Sequence, residues 1–114
     1  MNKKLFLVFF SVFVFGLCRI HSSVDAAGEA GYWGFDENGG YVASDTSGNF
    51  NHGVLTNDVS WTPGKSGSAL SFGGSGYVSI PMTSGLQPSG AVTVAAWIKV
   101  SGIQDYYAIV SSYG

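Results

Sequence analysis

The stretch that decides the fold is residues 32–55, which read YWGFDENGGYVASDTSGNFNHGVL. It begins with the aromatic run Tyr32 to Phe35 and continues through DENGG at 36–40, where Asn and Gly tolerate the positive φ angles of tight turns. A polar loop follows at 45–53, and the apolar pair Val54-Leu55 ends the stretch. Short aromatic and β-branched runs between turn residues predict antiparallel β-strands.

The same alternation of strands and turns continues along the chain. Fifteen of the 17 glycines fall between Gly31 and Gly114, where they separate short strand-like runs. Residues 91–100 are the clearest candidate strand because apolar residues recur there with period two, and residues 69–80 predict a hairpin. No stretch has useful helical periodicity, so we expect an all-β fold. The other predicted strands are 29–35, 41–43, 50–55 and 106–112, whereas 56–67 and 81–90 are predicted to be irregular.

Residues 1–26 have the pattern of a secretory signal peptide. Two lysines precede an apolar run from Leu5 to Leu17, and small residues at 24 and 26 favour cleavage after Ala26. The run is shorter than the about 20 residues that a membrane-spanning helix needs. We therefore expect a secreted or cell-surface protein with no membrane attachment after cleavage. Retention of the segment as an anchor is one alternative, and lipid attachment at Cys18 is another that the large preceding residue disfavours.

Signal removal leaves residues 27–114, with two lysines against six carboxylates and thus a formal charge of −4. A sparse acidic surface argues against nucleic acid as a partner, because the phosphate backbone requires clustered Lys and Arg. The single cysteine is removed with the signal. The exported part therefore has no disulfide framework, and its stability must come from a hydrophobic core or a bound ion.

The polar loop at 45–53 carries an oxygen-bearing side chain at every second position from 45 to 51. Calcium takes six to eight oxygens from carboxylates, amides and carbonyls, and a curled loop can turn several of them inward. The same residue types also form turns through Asx-type hydrogen bonds, and one carboxylate is few for a complete site. Both interpretations stay open. The candidate metal ligands are Asp45, Ser47, Asn49 and Asn51.

Three aromatic residues are candidates for binding a ligand, namely Trp61, Tyr77 and Trp97. Their faces suit the apolar faces of sugar rings, and Trp and Tyr also carry a polar group. The alternative is that such residues fill the core of a small β-sandwich. Core packing is the preferred interpretation for Trp33 and Trp97. Trp61 lies in a predicted loop, where it is expected either to be the more exposed of the three tryptophans or to cap an edge of the core.

No set of catalytic residues is evident. Glycoside hydrolysis needs two carboxylates that flank the scissile bond, but Asp36 and Glu37 are adjacent and would point to opposite sides of an extended chain. His52 is the only histidine after the signal, and the chain has no G-x-S-x-G elbow and no Walker-type loop. We therefore predict that the protein is not an enzyme.

Six short blocks, in order along residues 30–112, carry a family resemblance. They are YWGFDE at 32–37, DTSGNFNHG at 45–53, PGKSGSALSF at 63–72, YVSIP at 77–81, VTVAAWIK at 92–99 and AIVS at 108–111. In these blocks the chain resembles the bacterial laminin-G-like jelly-roll domains of the concanavalin A-like lectin/glucanase superfamily.

The resemblance implies an antiparallel two-sheet jelly-roll sandwich, of which residues 27–114 correspond to the N-terminal part. A complete jelly roll needs roughly twice as many residues, so we expect an incomplete, truncated sandwich. The resemblance also favours calcium in the polar loop, with Asp45 as first ligand. It implies an exported, non-catalytic module that binds carbohydrate or another cell-surface ligand. The alternatives are a structural or adhesive module of a larger surface protein, or the non-catalytic appendage of a glycoside hydrolase.

Overall fold

The computed structural model describes residues 4–7, 28–87, 89–101 and 108–113. Over these residues the chain forms seven β-strands and one short 3-10 helix, η1, at Ser84–Leu86, and every strand pair is antiparallel. The prediction of an all-β fold is therefore confirmed. The strands are β1 (Lys4–Leu7), β2 (Val42–Ala43), β3 (Gly53–Thr56), β4 (Val59–Pro63), β5 (Ser68–Phe72), β6 (Tyr77–Pro81) and β7 (Val110–Tyr113).

The strands form two sheets. The main sheet has five strands in the order β2-β3-β6-β1-β7, and β4 and β5 pair as a separate hairpin. β1 lies between β6 and β7, with Leu5 opposite Ile80 on one side and Ser112 on the other. A strand from the predicted signal peptide thus occupies an interior position of the main sheet.

One cluster of buried apolar side chains joins the hairpin to the main sheet. Leu70 and Phe72 of β5 pack in it with Val78 and Ile80 of β6. Leu70, Val78 and Ile80 are the largest of the fully buried side chains, and burial of such a side chain contributes about 1.5–3 kcal/mol. The core is therefore the contact that holds the two sheets together. Its other members are Phe35, Ala43 and Leu55.

The hairpin predicted at 69–80 is wrong. β5 pairs with β4, whereas β6 pairs with β3 and β1, so the turn at 73–76 carries the chain from one sheet to the other. β4 forms within a stretch that the sequence predicts to be a loop. Its Val59 and Trp61 stand opposite Phe72 and Leu70, and both pack against the core. Contact with the core thus outweighs the turn-forming composition of this stretch.

The strand predicted at 91–100 is not a strand in the structure. All ten residues are exposed and outside the sheets. Core packing of Trp97 is also wrong, since 61% of its surface is exposed. A strand with alternating apolar residues buries its apolar face only when it pairs with other strands in a sheet. No described strand pairs with this segment. The strand predicted at 106–112 corresponds to β7, although residues 106 and 107 lie outside the described residues.

The strand predicted at 29–35 is reduced to a single β-bridge between Trp33 and Asp45. Phe35 has a φ of 55°, which takes the backbone out of the extended region. Its side chain is buried in the core nonetheless. The part of the chain that the structure describes contains no helix with the length and hydropathy of a membrane span.

We predict that Gly53→Ala destabilises the fold. A Cβ at Gly53 would lie 2.5 Å from Cγ1 of Val78 and 3.1 Å from Cγ1 of Ile80, and such overpacking costs about 1–3 kcal/mol. Urea unfolding measures the change. Gly74→Ala is the control because a Cβ there meets nothing within 4 Å. Equal unfolding midpoints for the two variants would contradict the close packing of β3 on β6.

Candidate functional site

The carboxylate of Asp45 lies at the centre of the polar loop and is only 5% exposed. Its Oδ1 accepts the backbone N–H groups of Tyr32 and Ser47, each at 2.9 Å, and its Oδ2 accepts that of Asn51 at 2.9 Å. Hydrogen bonds to an ionised acceptor are stronger than those between neutral groups. One side chain therefore joins both ends of the loop to the segment that precedes it.

These contacts change the acidity of Asp45. Burial alone raises the pKa of a carboxyl group, but the hydrogen bonds from Tyr32, Ser47 and Asn51 outweigh burial and lower the pKa of Asp45 from 3.8 to about 2. Folding therefore favours the ionised form. The resulting stabilisation is complete above the pKa of the unfolded chain and is lost as the pH falls from about 4 through about 2.

The two asparagines of the loop bind the chain segment before Tyr32. Nδ2 of Asn49 donates to the carbonyl of Glu29 at 2.8 Å, and Nδ2 of Asn51 donates to that of Ala30 at 2.8 Å. Oδ1 of Asn51 accepts the hydroxyl of Thr83 at 2.8 Å. Asn51 is buried, so its satisfied amide avoids the penalty of an unpaired polar group.

The imidazole of His52 and the indole of Trp33 hydrogen-bond to the backbone of the loop. Nδ1 of His52 accepts the backbone N–H of Asp45 at 3.1 Å, and Nε1 of Trp33 donates to the carbonyl of Asn51 at 2.9 Å. The ring of Phe50 stands edge-on to that of His52, with 6.1 Å between ring centroids. The backbone φ of Phe50 is 58°. The side chain of Phe50 is 78% exposed, so the loop places an aromatic ring in solvent.

The four predicted metal ligands meet in this loop, and side-chain oxygens of three of them already accept hydrogen bonds from the protein. Asp45 accepts three N–H groups, Oγ of Ser47 accepts from Asn49, and Asn51 accepts from Thr83. The described residues hold no group of three or more His, Cys, Asp or Glu side chains suited to a metal. Three of the roughly four acceptor positions of the Asp45 carboxylate are thus occupied, so a calcium ion there would compete with these donors. The hydrogen bonds of the folded loop therefore fit the Asx-turn interpretation, and calcium binding stays a prediction.

The three predicted ligand-binding aromatics lie on different elements. Trp61 is in β4, Tyr77 begins β6, and Trp97 lies in the exposed segment 91–100. Trp61 is half-buried against the core, and its Nε1 donates to the carbonyl of Gly40 at 2.9 Å. The prediction that Trp61 is an exposed loop residue is therefore wrong, whereas its position at an edge of the core agrees with the alternative. It fixes the turn at 36–40 against β4.

That turn borders an open groove of about 340 Å³. None of the three predicted aromatics lines it. The carboxylate of Asp36 and the amide of Asn38, both exposed, are its polar side chains that reach solvent. The groove is lined by Asp36, Asn38, Pro63, Gly67 and Ser68.

Two features hold the groove in shape. Oγ of buried Ser68 donates to the carbonyl of Phe35 at 2.6 Å, which ties the start of the turn to β5. Gly67, at a φ of 69°, lies against the carboxylate of Asp36, and a Cβ there would collide with Oδ1. The groove thus has a floor of small residues under an exposed carboxylate.

The sequence prediction missed this groove. It interpreted residues 36–40 only as a turn, and in the structure all five are exposed. The sequence signal for the groove was an acid and an amide within one turn. The same two residue types are common in turns that bind nothing. The second side of the groove is formed by residues 63–68, which the fold brings next to that turn.

Comparison of the chain with protein-family models, with curated proteins and with solved structures found no match. The likeness to laminin-G-like domains therefore remains an interpretation of six sequence blocks.

We predict that Asp45→Asn removes about 2 kcal/mol of stability at neutral pH, because the shift in pKa of Asp45 corresponds to that free energy. The variant should also lose less stability than the wild-type protein between pH 4 and pH 2. Urea unfolding across this pH range measures both effects. Glu29→Gln makes the same charge change at an exposed side chain and serves as control. Parallel acid profiles for Asp45→Asn and wild type would contradict the assignment.

Calcium binding by the loop stays a prediction, and melting curves test it. If the loop rearranges to bind calcium, millimolar calcium raises the melting temperature relative to chelator, and Asp45→Asn abolishes the rise. The intact hydrogen bonds of Asp45 lead us to expect a rise smaller than the loss caused by Asp45→Asn itself. Superimposable curves with calcium and chelator would end the calcium hypothesis.

Proposed function

We propose that the exported part of the chain is a non-catalytic module that binds carbohydrate in the groove beside the turn at 36–40. The observation that supports this most directly is the combination of an exposed carboxylate and amide on a floor of small residues. Sugar hydroxyls both donate and accept hydrogen bonds. Asp36 accepts such bonds, and Asn38 both donates and accepts them.

Aromatic side chains flank this turn. Trp61 is fixed to it through the carbonyl of Gly40, and Tyr41, the next residue, is 79% exposed. Neither ring is among the residues that line the groove, so an aromatic face would meet only a sugar unit that extends beyond it. The groove is open to solvent and has a volume of about 340 Å³, so we propose that it contacts one or two sugar units. The acidic charge of the exported part favours a neutral sugar over a polyanion.

A binding role, rather than hydrolysis, is favoured by the positions of the acidic residues. Oε1 of Glu37 accepts the backbone N–H of Ser44 at 2.5 Å, so Glu37 is engaged away from its neighbour Asp36. Hydrolysis requires two carboxylates on opposite sides of one glycosidic bond. Among the described residues that line the groove, Asp36 is the one carboxylate.

Export and fold complete the proposal. The signal-like pattern at 1–26 supports delivery to the cell surface or beyond. Two antiparallel sheets around one core are the minimal form of a β-sandwich. They support the proposal that this sandwich is a laminin-G-like jelly roll.

A structural or adhesive module of a larger surface protein is the second candidate. The observation that favours it is the exposed apolar segment at 91–100, since exposed apolar patches mark contact surfaces. Binding to whole cells that survives enzymatic deglycosylation would favour this candidate over carbohydrate binding.

We expect the secreted protein to be retained on at least one class of neutral polysaccharide or glycan, and groove variants to weaken that retention. Asp36→Asn removes a charged acceptor, which corresponds to about 1.5–3 kcal/mol per hydrogen bond, so affinity should fall by roughly tenfold or more. Asn38→Gly removes the amide, and glycine tolerates the φ of 51° at this position. Glycan arrays followed by titration calorimetry measure both.

Glu29→Gln, an acid-to-amide change outside the groove, is the matched control and should bind like the wild-type protein. Retention on no glycan would refute the carbohydrate proposal. Retention that is unchanged in Asp36→Asn and Asn38→Gly would place the ligand elsewhere, and Trp97→Ala would then test the exposed segment.

A further inference from the structure

The main sheet contains a position that a removable strand occupies. β6 and β7 each pair antiparallel with β1, so they run parallel to one another with β1 between them. β1 belongs to the segment that the sequence predicts to be cleaved. Its loss would leave one edge of β6 unpaired beside Val78 and Ile80, both of which have no exposed surface, and unpaired edges recruit strands.

We propose that residues 91–100 are the strand that takes this position in the exported protein, and that β1 occupies it until the signal peptide is removed. The proposal rests on the predicted cleavage after Ala26. It does not depend on the carbohydrate proposal.

The order of the chain fits this position. β6 ends at Pro81 and β7 begins at Val110, so connections of nine residues, 82–90 and 101–109, flank the segment. A strand between β6 and β7 must run antiparallel to both. Three strands that are consecutive in the chain meet that requirement as a simple meander, the arrangement in which sequential strands are neighbours.

The side-chain pattern fits as well. In the present register Leu55 pairs with Val78, and both are buried, so the inner face of the vacated position requires apolar residues at every second site. The segment supplies five in succession on one side of an extended chain. These residues are Val92, Val94, Ala96, Ile98 and Val100.

The opposite side of the segment is mixed, with Thr93, Ala95, Trp97 and Lys99. Half-buried Ser79 of β6 and Ser111 of β7 stand opposite Phe6 across the two pairings of β1, on the face away from Val78. The mixed side of the segment would therefore lie on the same face of the sheet as these two serines. Insertion would also remove apolar side chains at 92, 94, 98 and 100 from water, which drives association.

The test uses the full-length chain with β1 displaced by Leu5→Pro, because proline removes a ladder donor and is excluded from interior strands. Hydrogen exchange read by mass spectrometry is expected to slow by about tenfold or more across residues 91–100 in this variant. The same protection is expected in the secreted, processed protein. Asn2→Pro, outside β1, is the control and should leave residues 91–100 unprotected.

A second variant locks the alternative state. In a Cys18→Ser background, cysteines at Phe6 and Ser79, which are directly opposite, form a disulfide across β1 and β6. We expect residues 91–100 to stay unprotected in this oxidised protein. Protection in the locked protein would overturn the proposal, as would a Leu5→Pro chain that fails to fold or leaves residues 91–100 unprotected.

Cross-linking identifies the partner of the segment. With Cys18→Ser and Leu5→Pro, a cysteine at Ser79 is combined in turn with one at Thr93, Ala95 or Lys99, and a disulfide within one chain is expected for at least one pair. Val94→Cys, on the other face, is the matched control and should not form it. Disulfides only between two chains would indicate a second copy. Disulfides that form only when the fixed cysteine is placed at Ser60 of β4 instead of Ser79 would indicate the hairpin edge. Either result would overturn the assignment.

Discussion

The contact on which the rest of the structure depends is the buried carboxylate of Asp45 with its three backbone donors. A charge can be buried only if hydrogen bonds replace its water, so the loop has to close around it. Closure brings Tyr32 and Asn51 to opposite sides of the carboxylate. That in turn sets the bridge between Trp33 and Asp45, and the indole of Trp33 reaches both the core and the carbonyl of Asn51.

The groove follows from the way the chain leaves this anchored region. Phe35 is buried with a positive φ, which redirects the backbone into the exposed turn at 36–40. The turn is then held at both ends, by Ser68 at the carbonyl of Phe35 and by Trp61 at that of Gly40. A loop with fixed ends and exposed polar side chains is pre-organised, so the ligand proposed for the groove would have little ordering entropy to overcome.

Much of the fold was predictable because its signals are local. The runs at β2, β3, β5, β6 and β7 were found from β-branched and aromatic residues between turns, and the polar loop was found from its spacing of oxygen-bearing side chains. The role of those side chains was not predictable. Asp45 accepts N–H groups from residues 13 positions before it and 6 after it, and the spacing alone suits a bound ion equally well.

Sequence by itself determined that the described chain is all-β, where most of its turns lie, and that a carboxylate and two amides share one loop. These properties depend on side-chain type and on the conformations that neighbouring residues permit. Tertiary structure decided which strands pair, so that residues 69–80 cross between sheets instead of forming a hairpin, and that β4 forms where the composition indicated a loop. It also decided that segment 91–100 lies outside the sheets while β1 holds an interior position. The physical reason is that a period-two pattern specifies a buried face but not the partner that covers it.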